Sequence, residues 1–360
     1  MAFEVNYTRT ERLIHRLAFA SRSVQLAAED IESQVFARSF RDTTAARPIF
    51  LTSLPRAGTT MVLEVMHRLP GLATTTYRDM PFVMAPMLWS AFSKPFQRRG
   101  NLRERAHGDG VEISYDSPEG FEEVIWRTFW PENYLSDRLL CWQVQDTKAE
   151  ATDFLHRHMK KIVALRRPDE PEARYISKNN ANVARLALLA RMFPDGTFLL
   201  ILRDPLEHAT SLHRQHMNFV QRQTADKFVG RYMSDIGHFE FGAMHRPIDF
   251  AKPESIHDSY GTDDPDYWLA YWISAFTAVE AACGDLDRQI VLANYERLCA
   301  DGVSAFGELC ECLGLDTGGA LAGACAQVHP VRFRADPAAF DANLVSAAKA
   351  LYAKLLGRAL

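Results

Sequence analysis

The sequence predicts an α/β fold in which helices flank a central parallel sheet. Predicted strands at 49–51, 174–180, 197–202 and 288–293 are each followed by a predicted helix. The run at 197–202 is apolar almost without interruption, which is typical of a strand in the middle of a parallel sheet. The order of strand, loop and helix is clearest at 49–68, and the rest of the chain is organised around it.

Composition indicates an ordinary globular protein. The chain has 360 residues, of which 47% are hydrophobic and 24% charged. No linker-like stretch divides it, so we expect a helical segment at 1–46 followed by one domain at 47–360. The net charge of −4 provides no overall positive field, and nucleic acid is therefore not an expected partner.

The cysteines and the N-terminus indicate a cytoplasmic protein. Six cysteines occur, only Cys310 and Cys312 are close in sequence, and no Cys or His cluster has zinc-binding spacing. Thiols in a reducing compartment are the simple interpretation, and no metal is expected. Residues 1–22 contain no apolar signal core, and no stretch is long enough to span a membrane.

The segment before residue 47 has the periodicity of a helix with one apolar face. That face consists of Leu13, Leu17, Ala20, Val24, Ala27 and Ile31. We expect it to pack on the chain's own core, and packing against a second subunit in a homodimer is the alternative.

Residues 49–60 have the features of an anion-binding loop. An apolar strand leads into a turn at 55–58 and then a helix, whose first backbone N–H groups and dipole favour an anion. The loop is not a Walker A motif, because Ser53 takes the place of the first glycine and Thr59 that of the lysine. Arg56 restores a positive charge. This predicts a phosphate-like anion other than an ordinary triphosphate, and a simple turn between strand and helix is the alternative.

The remaining elements follow the same signals. A β-branched run at 72–77 predicts a strand, and helices are predicted at 82–96, 117–130 and 151–165. Further helices are predicted at 184–193, from 205 onward, and at 267–283, 306–313 and 343–356. The long polar stretch at 219–265 is interpreted either as a lid on the acceptor side or as a variable loop.

The motif Pro-Arg-Ala-Gly-Thr-Thr at 55–60 resembles the phosphosulfate loop of sulfotransferases that use 3′-phosphoadenosine-5′-phosphosulfate (PAPS). Segments 176–180, 203–211 and 291–298 resemble further motifs of this family and occur in the family's order. By motif the chain is most similar to the tyrosylprotein branch. The resemblance implies a P-loop-like, three-layer α/β fold with additional helices.

The resemblance also implies donor-binding residues. The phosphosulfate group would contact Arg56, Ala57, Gly58, Thr59 and Thr60. Arg203 and Ser211 keep the spacing with which the family binds the 3′-phosphate, and Tyr295 would lie near the cofactor. For Arg203 the alternative is an ion pair with Asp204, and for Tyr295 it is simple burial.

The catalytic residues implied are Arg56, Lys178 and a base. Lys178 would contact the oxygen that bridges sulfate and phosphate, and a surface lysine is its alternative. A carboxylate near the offset of Asp79 is the base in the tyrosylprotein branch, although an ion pair with Arg78 or a helix cap explains this residue equally well. Other branches use a histidine, which makes His107 the second candidate for the base.

The implied activity is transfer of a sulfuryl group from PAPS to a hydroxyl, with release of adenosine 3′,5′-bisphosphate. The acceptor is a small molecule, a glycan or a lipid alcohol, and the sequence does not decide among them. Two rival functions are a nucleotide-dependent kinase, against which Thr59 argues, and a nucleotide-binding protein without catalysis.

Overall fold

The computed structural model describes residues 9–93, 103–104, 112–225, 227–250, 259–331 and 334–360. Its strands are β1 (Ile49–Thr52), β2 (Leu72–Ala73), β3 (Arg103–Glu104), β4 (Glu112–Ile113), β5 (Leu139–Leu140), β6 (Arg174–Lys178), β7 (Thr197–Leu202), β8 (Ile248–Asp249) and β9 (Ile290–Asn294). Its α-helices are α1 (Arg9–Ala18), α2 (Arg22–Val35), α3 (Thr59–His67), α4 (Pro86–Ser93), α5 (Glu123–Phe129), α6 (Ala149–Arg166), α7 (Leu186–Met192), α8 (Pro205–Ala225), α9 (Lys227–Asp235), α10 (Pro265–Asp285), α11 (Tyr295–Cys312), α12 (Leu321–Ala324) and α13 (Ala342–Leu356).

The central sheet has five strands in the order β2-β6-β1-β7-β9. Every neighbouring pair in it is parallel, and β1 lies between β6 and β7. All carboxyl ends of these strands therefore meet at one edge, where open α/β sheets bind their ligands. This edge carries the loop that follows β1 together with Lys178, Arg203 and Tyr295, and the predicted parallel sheet is confirmed.

Helices cover both faces of the sheet. Phe50 and Phe198 point into a core formed with residues of α6, α8 and α10. Leu51 and Leu199, their neighbours along each strand, point into a second core with residues of α3 and α11. Alternation of buried side chains along β1 and β7 thus builds the predicted three layers, because successive strand residues face opposite sides.

The N-terminal helices bury the face opposite to the one expected. Leu13, Leu17 and Ile31 are 57%, 59% and 53% exposed, so the expectation that their face packs on the chain's own core is wrong. Glu29 and Glu32 are buried instead, each 3.0 Å from the Nζ of Lys161 on α6. Polar contacts between α2 and α6 therefore determine which face of α2 is turned inward.

The segment around residue 119 corrects two sequence expectations. The helix predicted to open at 117 begins only at Glu123, because the N–H of Glu119 donates to the carbonyl of Thr75. Of the strand predicted at 72–77, only Leu72 and Ala73 pair with β6. Residues 74–76 turn away and run beside 117–119, which brings this segment to the end of β6.

The stretch at 219–265 contains regular structure, so the expectation of a long irregular loop is wrong for its first part. Helix α8 continues to Ala225, and α9 begins at Lys227.

Among the described residues, no helix combines the length and the apolar character needed to cross a membrane. The six cysteines are free thiols.

Candidate active site

The loop after β1 has a backbone that requires glycine at one position. Gly58 precedes α3 with φ of 99°, and Arg56 has φ of 71°. A Cβ atom on Gly58 would lie 2.3 Å from Cδ2 of Tyr295, a distance at which neither group could stay in place. The first N–H groups of α3 have no acceptor within the helix, so they are available to an anion at this edge.

The predicted donor-binding side chains converge at this loop. The Nε of Arg56 donates to the Oγ of Ser211 at 3.3 Å. The Nη1 of Arg203 donates to the carbonyl of Arg56 at 2.7 Å, and its guanidinium lies 4.8 Å from the ring centre of Tyr295. Residues from three places in the sequence thus form one cluster with two arginines.

The remaining predicted loop residues differ in exposure. Ala57 is fully buried, and Thr59 is buried with its Oγ1 3.5 Å from the Oδ1 of Asn180. Thr60 lies in the first turn of α3 and is partly exposed. The backbone N–H groups of this turn are therefore the loop's strongest feature for binding an anion.

His208 belongs to this site but is not among the site residues predicted from the sequence. Its ring is fully buried, and burial together with Arg203 lowers the pKa of His208 to about 3. The neutral ring donates from Nε2 to the carbonyl of Pro55 at 2.8 Å. Its position three residues before Ser211 places both on one face of α8, a spacing that could have identified it.

Lys178 lies at the end of β6 in a buried ion pair. Its Nζ is 2.7 Å from Oε1 of Glu119, and the two residues are 8% and 3% exposed. The N–H of Gly120 also donates to that oxygen, at 2.9 Å, while the hydroxyl of Tyr77 donates to Oε2. An ammonium group has three N–H donors, so one pair with Glu119 leaves capacity for a ligand oxygen.

Asp79 is engaged in structural contacts. It is 1% exposed, and both carboxylate oxygens lie 2.6 Å from Nη2 of Arg166. The N–H of Thr76 donates to Oδ2 at 2.8 Å, which caps the short turn at Tyr77–Asp79. The ion pair is therefore with Arg166 rather than with Arg78, which binds Asp116. His107, the other base candidate, lies outside the described residues.

A cavity opens beside the loop. Leu54, Pro55 and Asn180 line it on the side of the strand ends. The Nδ2 of Asn180 donates to Oε1 of Glu240 at 3.4 Å, so a carboxylate of the cavity is linked to Thr59 through one side chain. His238 also lines the cavity, 3.4 Å from the carbonyl of Gly120. The cavity is thus the space through which an acceptor could reach the loop.

Comparison with known proteins points to one family. The model of the sulfotransferase family matches residues 48–253. The structure is similar to the sulfotransferase STF9 from Mycobacterium avium, with 13% identity, coverage of 98% of this chain and 87% of that chain, and a TM-score of 0.55. It is also similar to the sulfotransferase STF1 from Mycobacterium tuberculosis H37Rv, with 15% identity, coverage of 98% of this chain and 88% of that chain, and a TM-score of 0.50. No curated protein matches the sequence.

Proposed function

The chain belongs to the sulfotransferase family, and we propose that it transfers the sulfuryl group of PAPS to a hydroxyl acceptor. The observation that carries the proposal is the cluster in which Arg203 donates to the carbonyl of Arg56 and Arg56 to Ser211. It joins the loop after β1 to the end of β7, so one nucleotide with two anionic groups can engage both.

The residues present fit such a donor. Arg203 and Ser211 supply a guanidinium and a hydroxyl for the 3′-phosphate. Arg56 and the N–H groups at the start of α3 supply positive charge and donors for the phosphosulfate. Gly58 lets the ring of Tyr295 pack directly on the loop, because a side chain there would occupy the place of the ring. The bound donor would supply an activated sulfuryl group with a phosphate leaving group.

Lys178 is assigned to the leaving group. Its Nζ donates a hydrogen bond to the oxygen on which negative charge develops when the bond from sulfur to phosphate oxygen breaks. Glu119 holds the ammonium in place through the 2.7 Å ion pair. Arg56 and the loop N–H groups stabilise the charge on the transferring oxygens.

Glu240 is assigned as the base. It lines the cavity and is linked through Asn180 to Thr59, whereas the Asp79 carboxylate is bound to Arg166. Glu240 takes the proton of the acceptor hydroxyl while the acceptor oxygen forms its bond to sulfur. The second titratable group of the cavity is His238.

Binding and turnover test the proposed function. Calorimetric titration should show binding of adenosine 3′,5′-bisphosphate and little binding of ATP with Mg²⁺, and labelled PAPS should transfer sulfate to hydroxyl compounds. Arg203→Ala should weaken bisphosphate binding on the order of tenfold or more. Arg191→Ala, an exposed arginine on α7, is the matched control. Preferential binding of ATP with Mg²⁺ would favour the kinase, and bisphosphate binding without turnover would favour a nucleotide-binding protein.

The base is tested by comparing Glu240→Gln with His238→Gln. Loss of the base should lower turnover by about 10²-fold or more and remove the acidic limb of the pH–rate profile, while bisphosphate binding stays unchanged. If only His238→Gln behaves in this way, the assignment to Glu240 is wrong and the proton goes to the histidine.

A further inference from the structure

The cavity beside the loop is lined largely by apolar side chains. Part of one wall is the pairing of β5 with β8, in which Leu139 is opposite Ile248. The aromatic part comes from α10 and the segment before β8, and its side chains are Phe239, Trp268 and Tyr271. These three residues are 2%, 0% and 5% exposed, so they belong to the surrounding core. A lining of this kind suits the apolar part of a ligand.

One cation of the cavity has no carboxylate in ion-pair contact with it among the described residues. The guanidinium of Arg246 lies 4.1 Å from the ring centre of Phe239, and no described carboxylate comes within 4.0 Å of its nitrogens. Burial and the nearby Arg127 lower the pKa of Arg246, and the negative charge of Asp137 offsets only part of this effect. Arg127 contacts the same ring at 5.4 Å. Two like charges on one ring make the positive charge of Arg246 costly, and an anion beside it would relieve that cost.

Neither carboxylate that lines the cavity forms an ion pair with Arg246. Glu123 is buried, with Arg185 at 2.9 Å and the Nδ2 of Asn179 at 2.7 Å. Glu240 lies on the side of the strand ends, where its Oε1 accepts from Asn180. Arg246 instead stacks on Phe239, so the cavity offers a carboxylate near the loop and a separate cation for the ligand.

We propose that the cavity binds a sulfuryl acceptor whose hydroxyl is attached to an apolar body that also carries an anionic group, and that Arg246 pairs with that group. This rests on the proposed function, since the cavity matters as an acceptor site only if the loop binds the donor. Arg246 is then a specificity-determining residue. It distinguishes an anionic acceptor from a neutral one of the same shape, because a charge-assisted pair forms with only one of them.

Two probes of matched shape test this inference. 6-Hydroxy-2-naphthoate and 2-naphthol share ring and hydroxyl and differ by the carboxylate. Binding of each to the full-length protein saturated with adenosine 3′,5′-bisphosphate is measured by fluorescence, and turnover of each is measured with PAPS. The wild type should favour the naphthoate by on the order of tenfold or more. Arg246→Gln should abolish the preference, and Arg191→Gln should keep it.

The outcomes separate the two proposals. Equal affinity of the wild type for both probes, or a preference that survives in Arg246→Gln, would overturn the anionic-acceptor inference and leave the proposed function standing. Binding of neither probe by a protein that binds the bisphosphate would overturn it too. Failure to bind the bisphosphate at all would count against the proposed function. The probes are then measured without it, and a preference that depends on Arg246 would still support an anion-binding cavity. Unchanged thermal unfolding of Arg246→Gln confirms that the variant is folded.

Discussion

Gly58 is the position at which one methyl group should disturb the donor site most. In Gly58→Ala the added Cβ would lie 2.3 Å from Cδ2 and 2.4 Å from Cε2 of Tyr295. Carbon atoms in contact prefer about 3.5–4.0 Å, so the ring or the loop must move by about 1 Å. Such overpacking costs about 1–3 kcal/mol, and the positive φ of 99° costs alanine about 1–2 kcal/mol more. We therefore expect a loss of about 2–5 kcal/mol in the free energy of unfolding.

Gly58→Ala should also weaken binding of the bisphosphate, because Arg203 lies next to the ring of Tyr295. Arg203 lies 4.8 Å from the ring centre of Tyr295, so a displaced ring also displaces the guanidinium assigned to the 3′-phosphate. Affinity for adenosine 3′,5′-bisphosphate, measured by calorimetry, should fall on the order of tenfold or more. Urea unfolding gives the stability of the same samples.

A double-mutant cycle separates the two costs. Tyr295→Ala removes the ring, so adding Gly58→Ala to it should cost only the backbone part, about 1–2 kcal/mol. The coupling between the two sites should then be about 1–3 kcal/mol. If Gly58→Ala is as stable as the wild type and binds the bisphosphate equally well, the reasoning about this loop is refuted.

Three further predictions concern buried groups of the same region. Lys178→Met should lower turnover by about 10²-fold or more and bisphosphate affinity far less, and an equal loss of both would contradict its leaving-group role. Asp79→Asn should lower the free energy of unfolding by about 1–3 kcal/mol, because it weakens the contact with Arg166, and turnover of the folded variant should persist; a stable but inactive variant would make Asp79 the base. The folded-state pKa of His208 is about 3 and its unfolded value about 6.5, so the unfolded state binds the extra proton. Stability should therefore be full above about pH 6.5 and fall toward about pH 3, and in His208→Gln this part of the acid dependence should be absent from urea unfolding curves.

Much of the donor side could be predicted because its residues directly follow strands. The sheet order is set by strands that are recognisable as apolar runs, and the groups that follow them reach one edge whatever the helices do. The approach of Arg203 to Arg56 therefore needed only the correct strands and the parallel arrangement, whereas Ser211, on α8, was predicted from the family resemblance. The roles of these residues in binding a donor remain predictions that the titrations above test.

Contacts between distant segments could not be predicted in this way. Asp79 lies 87 residues from Arg166 in sequence, and no local pattern distinguishes that pair from one with the adjacent Arg78. Lys178 and Glu119 are likewise 59 residues apart. The apolar spacing on α2 indicated a face but not the direction in which it points, because the ion pairs of Lys161 with Glu29 and Glu32 turn the polar face inward.

The acceptor side of the site was also beyond prediction from the sequence. Apart from the residues near the strand ends, such as Leu54, Pro55 and Asn180, most walls of its cavity come from β5, the segment at 237–248 and α10, none of which belongs to the central sheet. Residues such as Arg246 can change there without altering the strand ends that carry the donor-binding cluster. A sequence can therefore reveal the sulfotransferase family through its donor motifs and still not identify the acceptor. In this chain the acceptor's chemistry has to be inferred from the charge and shape of the cavity, for which the two naphthalene probes provide the test.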